Sequence, residues 1–427
     1  MMERYREYKE SGVKWLGEIP SHWEVVPIKH GYKFTVGWTP PTGRNDLFEG
    51  NNLWANISDL GDKVIRTTTN HISDSAVRQS GRSISPKGSL LYSFKLSVGT
   101  VSFCGADMYT NEAIATFLKG KNSLEFLYYA APIFIIKNAN TNIYGAPILN
   151  QDLIKNALVL LPPLSEQDAI VRYLDSATSE IDKAIAMQQK MIDLLNERKQ
   201  IIIQNAVTKG LDENVEMKES GVEWIGKIPK HWEVLKLKRC AIIKTGTTPP
   251  TSNLKYFENG DIPWFTPGDI NDMNLHLSSK TITKKAIEDN VGRLFPAKSI
   301  YFVGIGATVG KVASCDFEAS SNQQINAIMC NDRLDYKFAT YCLLMEQRII
   351  RETTNFVTLP ILNQSSTGLI NIVVPPKSEQ QQIVTYLDSE MQRFDTAITN
   401  CQRQITLLQE RKQIIINEVV TGKVRVS

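Results

Sequence analysis

The sequence predicts an α+β protein: two mixed α/β globules in tandem repeat, separated by two long helices forming an antiparallel coiled coil. Residues 10–25 are ESGVKWLGEIPSHWEV and residues 219–234 are ESGVEWIGKIPKHWEV, identical at 12 of 16 positions. Further motifs follow both copies in the same order. Each copy then ends in a long stretch without proline or glycine, whose apolar residues follow a heptad pattern.

The repeated motifs define one unit of about 210 residues that occurs twice. A period this long exceeds the roughly 20–50 residues of solenoid repeats, so it indicates two domains. The motif pairs are GWTPPT (37–42) and GTTPPT (246–251), PILNQ (147–151 and 360–364), LPPLSEQ (161–167) and VPPKSEQ (374–380), and LLNERKQIII (194–203) and LLQERKQIII (407–416). The predicted segments are a first globule at 1–162, a central spacer helix at 163–209, a second globule at 210–375 and a C-terminal spacer helix at 376–427.

The globular part of each copy mixes short β-branched and aromatic runs with turns rich in glycine, proline and asparagine. SLLYSF (89–94) and SIYFVG (299–304) are typical of strands. We therefore expect both globules to be mixed α/β.

The predicted helices follow Pro162-Pro163 and Pro375-Pro376, with Ser165 and Ser378 as expected N-caps. One alternative is that each helix packs only on its own globule. A stripe this long usually needs another helix, and the short linker after Gly210 favours antiparallel pairing of the two. The predicted seam residues are Ile181, Ile185, Ile192, Leu195, Ile202, Phe394, Ile398, Ile405, Leu408 and Ile415.

Composition excludes several classes of protein. The chain carries a formal net charge of +3, which permits nucleic-acid binding but does not require it. No apolar run reaches the roughly 18 residues of a membrane span. The six cysteines include no CxxC pair, which predicts reduced thiols in a cytoplasmic protein and no structural zinc.

Catalytic motifs are also missing. GIGATVGK (304–311) lacks the spacing of a Walker A loop and is expected to be a turn between strands. TPPT lacks the polar and aromatic residues of an amino-methyltransferase motif. His22 and His231, inside the repeated HWEV, are expected to be structural. The sequence therefore predicts no enzyme.

The ordered set of SGVxWxGxIPxHWEV, GxTPP, PILNQ, PPxSEQ and ERKQIII, present twice, resembles the specificity subunit of type I restriction–modification systems. This resemblance implies two target-recognition domains, spacer helices paired antiparallel, and no catalytic role for the subunit itself. It also implies double-stranded DNA and two modification subunits as partners, joined by restriction subunits in the full complex. S-adenosylmethionine, ATP and Mg²⁺ are then expected on the partner subunits, with none in this chain.

The interiors of the two globules agree much less than the shared motifs, which predicts an asymmetric bipartite DNA target. Candidate DNA-binding residues are the basic side chains Arg44, Lys63, Arg66, Arg78, Arg82, Lys95, Lys255, Lys280, Lys284, Lys285, Arg293 and Lys311. Candidate contacts to partner subunits are Glu197, Arg198, Lys199, Glu410, Arg411 and Lys412.

Two alternatives remain open at this point. One is an interaction scaffold with two protein-binding heads on a coiled-coil spacer. The other is a self-sufficient methyltransferase, which the missing cofactor motifs oppose.

Overall fold

The computed structural model describes residues 3–223, 225–353 and 361–426. It forms two compact units, which we call unit 1 (Met1–Gln188 with Arg403–Ser427) and unit 2 (Gln189–Gln402). The four-segment division stays a prediction, and the compact units follow different boundaries because each contains a stretch of both long helices.

Unit 1 contains short strands and helices ahead of the first long helix. Its strands are β1 (Tyr8–Glu10), β2 (Glu18–Pro20), β3 (Glu24–Pro27), β4 (Lys33–Val36), β5 (Asn52–Ala55), β6 (Val64–Ile65), β7 (Asn70–Ile72), β8 (Leu90–Ser93), β9 (Val101–Cys104), β10 (Tyr109–Thr110), β11 (Ile114–Leu118), β12 (Asn140–Thr141), β13 (Pro147–Ile148) and β14 (Leu158–Leu161). Its helices are α1 (Ile28–Gly31), α2 (Asp74–Ser80), α3 (Leu124–Phe134), α4 (Gln151–Asn156) and the first part of α5 (Leu164–Lys209).

Within the described ranges, the larger sheet of unit 1 has the order β4-β11-β8-β9-β6, and a smaller sheet has the order β10-β5-β7. The core fills the space between the larger sheet, α3 and the long helices. Trp23, Phe117 and Phe126 are fully buried there. The predicted strand at 89–94 is confirmed as β8.

Unit 2 repeats this order of elements. Its strands are β15 (Met217–Glu219), β16 (Lys227–Pro229), β17 (Glu233–Lys236), β18 (Ala241–Thr245), β19 (Ile262–Phe265), β20 (Lys280–Ile282), β21 (Ile300–Val303), β22 (Val312–Ser314), β23 (Ser320–Ser321), β24 (Ile325–Cys330) and β25 (Asn371–Val374). Its helices are α6 (Lys284–Glu288), α7 (Tyr336–Thr353), α8 (Gln364–Gly368) and the first part of α9 (Lys377–Val420).

The larger sheet of unit 2 has the order β18-β24-β21-β22 in the described residues, which matches β4-β11-β8-β9 of unit 1. The predicted strand at 299–304 is confirmed as β21. GIGATVGK joins β21 to β22 as an antiparallel hairpin turn, as the sequence indicated.

The repeated PILNQ motif has a capping role. Asn150 Oδ1 accepts the backbone N–H of Leu153 at 2.8 Å and so caps α4. Asn363 accepts the N–H of Ser366 at 2.9 Å at the start of α8. The motif is repeated because each copy starts the same short helix.

The long helices pair antiparallel in each unit. In unit 1 the start of α5 (Leu174) and the end of α9 (Val420) share one core, and further along Asp182 pairs with Lys412 at 2.7 Å. In unit 2 the end of α5 and the start of α9 share the core, and Lys199 pairs with Asp395 at 2.6 Å. The antiparallel coiled coil is therefore confirmed.

The ten predicted seam residues are all buried or half-buried, with Ile181, Ile192 and Phe394 the most enclosed. The helix starts differ slightly from expectation. Helices α5 and α9 begin at Leu164 and Lys377, one residue before each predicted serine N-cap.

Candidate functional site

A single carboxylate at the start of α5 ties the helix to the globule of unit 1. Glu166 Oε2 accepts the indole N–H of Trp23 at 3.0 Å and the hydroxyl of Tyr5 at 3.1 Å. His22 Nε2 lies 2.6 Å from Oε1 of the same carboxylate. The repeated HWEV and SEQ motifs therefore meet in space although about 140 residues separate them.

Unit 2 contains the same junction. Glu379 accepts the indole N–H of Trp232 at 2.9 Å, and His231 Nε2 lies 2.7 Å away. Both histidines contact carboxylates that bind the framework together. The prediction that they are structural is in keeping with these contacts.

The glutamine after each of these glutamates is buried and hydrogen-bonded at both ends of its amide. Gln167 accepts the N–H of Ser123 at 3.0 Å and donates to the carbonyl of Pro162 at 2.8 Å. Gln380 accepts from Asp335 at 2.7 Å and donates to Pro375 at 2.8 Å. These contacts place the helix starts beside α3 and α7.

The GxTPP loop of unit 1 packs directly against the turn after β10. A Cβ on Gly37 would lie 2.0 Å from the carbonyl oxygen of Thr110, so only glycine fits there. The Thr39 hydroxyl donates to Glu112, and with a smaller contribution from Lys95 this bond holds the pKa of the Glu112 carboxyl below its usual value.

The same packing occurs in unit 2. A Cβ on Gly246 would lie 2.3 Å from the carbonyl oxygen of Asn322, and Thr248 donates to Gln323. Glycine and threonine of this motif therefore belong to the framework, while the acceptor changes from a carboxylate to an amide between units.

Each unit also has a groove between its globule and the long helices, of about 1020 Å³ in unit 1 and about 900 Å³ in unit 2. In unit 1 the Tyr129 hydroxyl donates to Asp175 at 2.5 Å, and Lys63 Nζ lies 2.5 Å from the same carboxylate. Burial, aided by Asp175, raises the pKa of Tyr129.

The groove of unit 2 uses equivalent groups on different elements. The Tyr341 hydroxyl donates to Asp388 at 2.8 Å, and Lys337 of α7 lies 3.1 Å from that carboxylate. Both units thus have a tyrosine–aspartate–lysine cluster in which the aspartate lies on the long helix that follows the globule.

A third concave surface, the hollow, lies in unit 1 and has a volume of about 490 Å³. It shares Thr100 with the groove but contains no residue of the long helices. It is formed by Asn56, Ile57, Ser58, Leu60, Leu96, Ser97, Thr100 and Asn111. Most of these residues belong to the loops after β5 and β8. The hollow is therefore built from loops whose sequences differ between the two units.

A family model described as the type I restriction modification DNA specificity domain matches residues 20–190 and 229–409. The chain belongs to this family. Each match covers most of one globule and the first part of the helix that follows it. The resemblance predicted from the repeated motifs is confirmed.

Several relatives match over most of the chain. The MjaIX specificity subunit of Methanocaldococcus jannaschii, a type I restriction enzyme subunit, is 26% identical over 432 residues, covering 98% of this chain and 97% of the relative. The EcoR124I/EcoR124II specificity subunit of Escherichia coli is 27% identical over 247 residues, 56% of this chain and 53% of the relative.

Solved structures of the same family share the fold. A chain from work on complex assembly and conformational transition of the type I R-M system has a TM-score of 0.72 at 16% identity, covering 94% of this chain and 98% of that chain. The HsdS subunit from Thermoanaerobacter tengcongensis has a TM-score of 0.50 at 16% identity, with 95% and 98% covered.

The basic candidates of unit 1 divide into two groups. Arg44 pairs with Asp46 at 2.6 Å, and Lys63 pairs with Asp175 in the groove. The others are exposed without an ion pair to any described residue; they are Arg66, Arg78, Arg82 and Lys95. Only Lys95 adjoins the hollow.

In unit 2 most of the basic candidates contact the protein itself. Lys255 and Lys285 lie 3.5 Å and 2.8 Å from Asp289, and Lys284 lies 3.6 Å from Asp261. The remaining contacts are Arg293 to the carbonyl of Thr245 at 2.5 Å and Lys311 to Asn271 at 3.1 Å. Lys280 is exposed. Their contact with DNA stays a prediction.

The six helix residues expected to meet partner subunits have two different environments. Glu197, Arg198, Glu410 and Arg411 are exposed. Lys199 and Lys412 instead bind carboxylates of the opposite helix. These two lysines form ion pairs between the two helices. The sequence alone does not show this role, because it does not reveal which carboxylates lie opposite them.

Sequence reasoning missed Glu166, Glu379 and the hollow. The glutamates were visible as repeated letters of SEQ, but not as partners of the tryptophans. The DNA-binding candidates named from the sequence are all basic, whereas the hollow has an exposed apolar side chain at a loop tip. No helix of the described residues is long and apolar enough to span a membrane. The described residues also contain no cluster of potential metal ligands.

Proposed function

We propose that this chain is the non-catalytic DNA-recognition subunit of a type I restriction–modification complex, and that its two units bind two different half-sites of one duplex. Family membership supports DNA recognition. The relatives named above are specificity subunits of type I restriction enzymes.

One observation supports an asymmetric DNA target. The repeated motifs of the two units make matching contacts, while the loop positions around the hollow differ. Asn56 corresponds to Thr266 because both backbone N–H groups bond to an aspartate three residues on. By the same alignment Ser58 corresponds to Gly268 and Leu60 to Ile270. Different side chains on one scaffold favour different base sequences.

Partners supply the chemistry in this proposal. Two modification subunits, one for each repeat, bind S-adenosylmethionine and methylate adenine N6, and restriction subunits use ATP and Mg²⁺. The exposed Glu197, Arg198, Glu410 and Arg411 are charged positions of the coiled coil that are available to such subunits.

The test is to map N6-methyladenine in DNA of cells that carry this gene with a neighbouring modification gene. We expect one motif of two unlike halves separated by unspecified bases, and its loss when this chain is deleted. Methylation that is unchanged by the deletion would contradict the proposal.

The scaffold alternative makes a different prediction for binding. A DNA-recognition complex should shift a duplex in a gel, and the shift should weaken steeply as salt rises because phosphate contacts release counterions. A complex that binds no duplex at low salt would favour protein-binding heads instead.

A further inference from the structure

The loop between β8 and β9, residues 94–100, presents an apolar side chain to solvent. Leu96 is 84% exposed and its backbone φ is +49°, in the left-handed region that leucine rarely adopts. Exposure of an apolar group and backbone strain are both unfavourable. Their coincidence at one residue is typical of a site that acts on a ligand.

Unit 2 has a glycine at the corresponding position. In both loops the N–H of a glycine, Gly99 or Gly310, donates at 2.9 Å to the carbonyl of the last strand residue, Ser93 or Val303. The loop of unit 1 is one residue shorter between these two anchors. Counted forward from the strand residue, the third position is Leu96 in unit 1 and Gly306, with φ +106°, in unit 2. Unit 1 therefore has leucine where glycine would be free of strain.

Hydrogen bonds hold this loop in shape. The Ser93 hydroxyl donates to the carbonyl of Lys95 at 3.0 Å, and the Thr100 hydroxyl donates to the carbonyl of Ser97 at 3.0 Å. These two bonds bracket Leu96. Its side chain is thus presented at the rim of the hollow before any partner arrives.

The hollow combines apolar and polar side chains, and the Asn56 amide is one of its polar groups. Ile57, Leu60 and Leu96 supply the apolar surface. The Asn56 side-chain oxygen accepts from Asn111 Nδ2 at 3.3 Å, so the orientation of the Asn56 amide is fixed. Asn56 Nδ2 has no partner among the residues that the structure describes, and it remains available as a donor.

An available donor beside apolar groups matches one base in the major groove. Thymine presents the O4 acceptor next to its 5-methyl group there, whereas cytosine presents an N4–H donor and no methyl. Guanine presents two acceptors, and adenine presents the N7 acceptor beside an N6–H donor, both without a methyl group. An amide N–H surrounded by aliphatic carbon is therefore complementary to thymine.

We propose that the hollow of unit 1 binds a thymine of its half-site, with Leu96 against the 5-methyl group and Asn56 Nδ2 donating to O4. This inference rests on the proposed function, because it assumes that unit 1 contacts duplex DNA. It assigns Leu96 and Asn56 as specificity-determining residues.

The neighbouring Lys95 has a separate role. Its side chain is exposed and has no ion pair among the described residues, while the corresponding Ile305 of unit 2 is apolar. A lysine at this edge contacts a phosphate and positions the loop without specifying a base. Lys95→Ala should therefore weaken binding of all duplexes to a similar degree.

The experiment uses the full chain in complex with its modification subunits. Methylation mapping first identifies the half-sites. Each thymidine of the half-sites is then replaced in turn by deoxyuridine, which keeps O4 but lacks the 5-methyl group. We expect one position in the unit 1 half-site where deoxyuridine lowers affinity about fourfold, the factor given by burial of one methyl group.

The decisive variant is Leu96→Gly, which removes the apolar tip and the backbone strain together. We expect its melting temperature to be unchanged or higher, while affinity for the thymine duplex falls and the thymine–deoxyuridine difference disappears. The matched control is Leu277→Gly in unit 2, where the leucine is 86% exposed. This control should keep the difference.

Each result has a distinct meaning. A Leu96→Gly complex that still distinguishes thymine from deoxyuridine, or a wild-type complex insensitive to deoxyuridine throughout that half-site, would overturn the inference and leave the proposed function intact. A wild-type complex without any half-site preference would overturn the proposed function itself.

Discussion

Glu166 joins two motifs that lie far apart in the chain. Its carboxylate accepts from Trp23 and Tyr5 and contacts His22, and its side chain is only 17% exposed. Hydrogen bonds to a charged, partly buried acceptor stabilise the fold more than hydrogen bonds between neutral groups do. This contact explains why the letters HW and E recur together in both copies.

Glu166→Ala should lower the free energy of unfolding by about 1–3 kcal/mol, since it leaves a buried indole N–H without its acceptor. Chemical denaturation measures this change. Glu379→Ala should have a smaller effect because Glu379 has two ring partners and is 34% exposed. The exposed Glu197→Ala is the control and should change stability by less than about 0.5 kcal/mol. Equal effects at positions 166 and 197 would contradict this role.

Tyr92 is fully buried, and its hydroxyl has no hydrogen-bond partner in the described part of the chain. In unit 2 the corresponding residue is Phe302, since Ser93 and Val303 end the aligned strands. Burial raises the pKa of Tyr92. The hydroxyl thus brings a desolvation cost that Phe302 avoids at the corresponding position of unit 2.

Tyr92→Phe should keep or raise the free energy of unfolding at pH 8, by up to about 1 kcal/mol, because it removes an unpaired buried polar group. A raised folded pKa means that the unfolded state loses its proton first. Ionisation of Tyr92 therefore leaves the free energy of unfolding of the wild type unchanged below about pH 10, and it lowers that free energy as pH rises above this value. The advantage of the variant should grow above that pH in denaturation curves.

Tyr129→Phe serves as the comparison, because that hydroxyl donates to Asp175 at 2.5 Å. It should destabilise the protein by about 1 kcal/mol. A similar loss for Tyr92→Phe would indicate that the Tyr92 hydroxyl has a partner.

At the scale of elements, the heptad pattern sufficed to predict α5, α9 and their antiparallel pairing. Periodicity is a local property, so two matched stripes show directly which faces meet. The sheets were not predictable in the same way. Strand β3 pairs with β14 more than 130 residues later, and strands of four residues carry no signal for such a partner.

Two interhelical ion pairs provide a test of the helix pairing. Lys199→Glu should destabilise unit 2 because it places a like charge beside Asp395, and Asp395→Lys should restore part of the loss in the double variant. The coupling energy from a double-mutant cycle should be about 0.2–1 kcal/mol and should shrink at high salt. The Lys412 and Asp182 pair of unit 1 should behave alike. Additive effects at low salt would contradict the pairing.

At the candidate site too, local sequence patterns were predictable and contacts between distant segments were not. The framework motifs were visible as repeated letters, and their neighbours in space were not. The hollow could be recognised only from the structure, because the alignment of β8 with β21, which end at Ser93 and Val303, places Leu96 opposite Gly306.

At the scale of the whole molecule, unit 1 is built from both ends of the chain. Val419 and Val420 lie in its core with Trp23, and the Tyr8 hydroxyl donates to the carbonyl of Gly422 at 3.2 Å. The N–H of Arg425 donates to the carbonyl of Glu3 at 2.8 Å. The division by chain order assigned this segment to a separate helix because sequence position does not reveal which globule a helix end contacts.

Val420→Asp should therefore disrupt residues 3–188 while leaving residues 189–402 folded. The side chain is fully buried, and an unpaired carboxylate in an apolar core costs several kcal/mol. Hydrogen–deuterium exchange should show lost protection in unit 1 alone. The matched variant is Val207→Asp, the corresponding core residue of unit 2, which should produce the opposite distribution. Lost protection confined to residues 403–426 in the first variant would mean that unit 1 folds without this segment, contrary to a shared core.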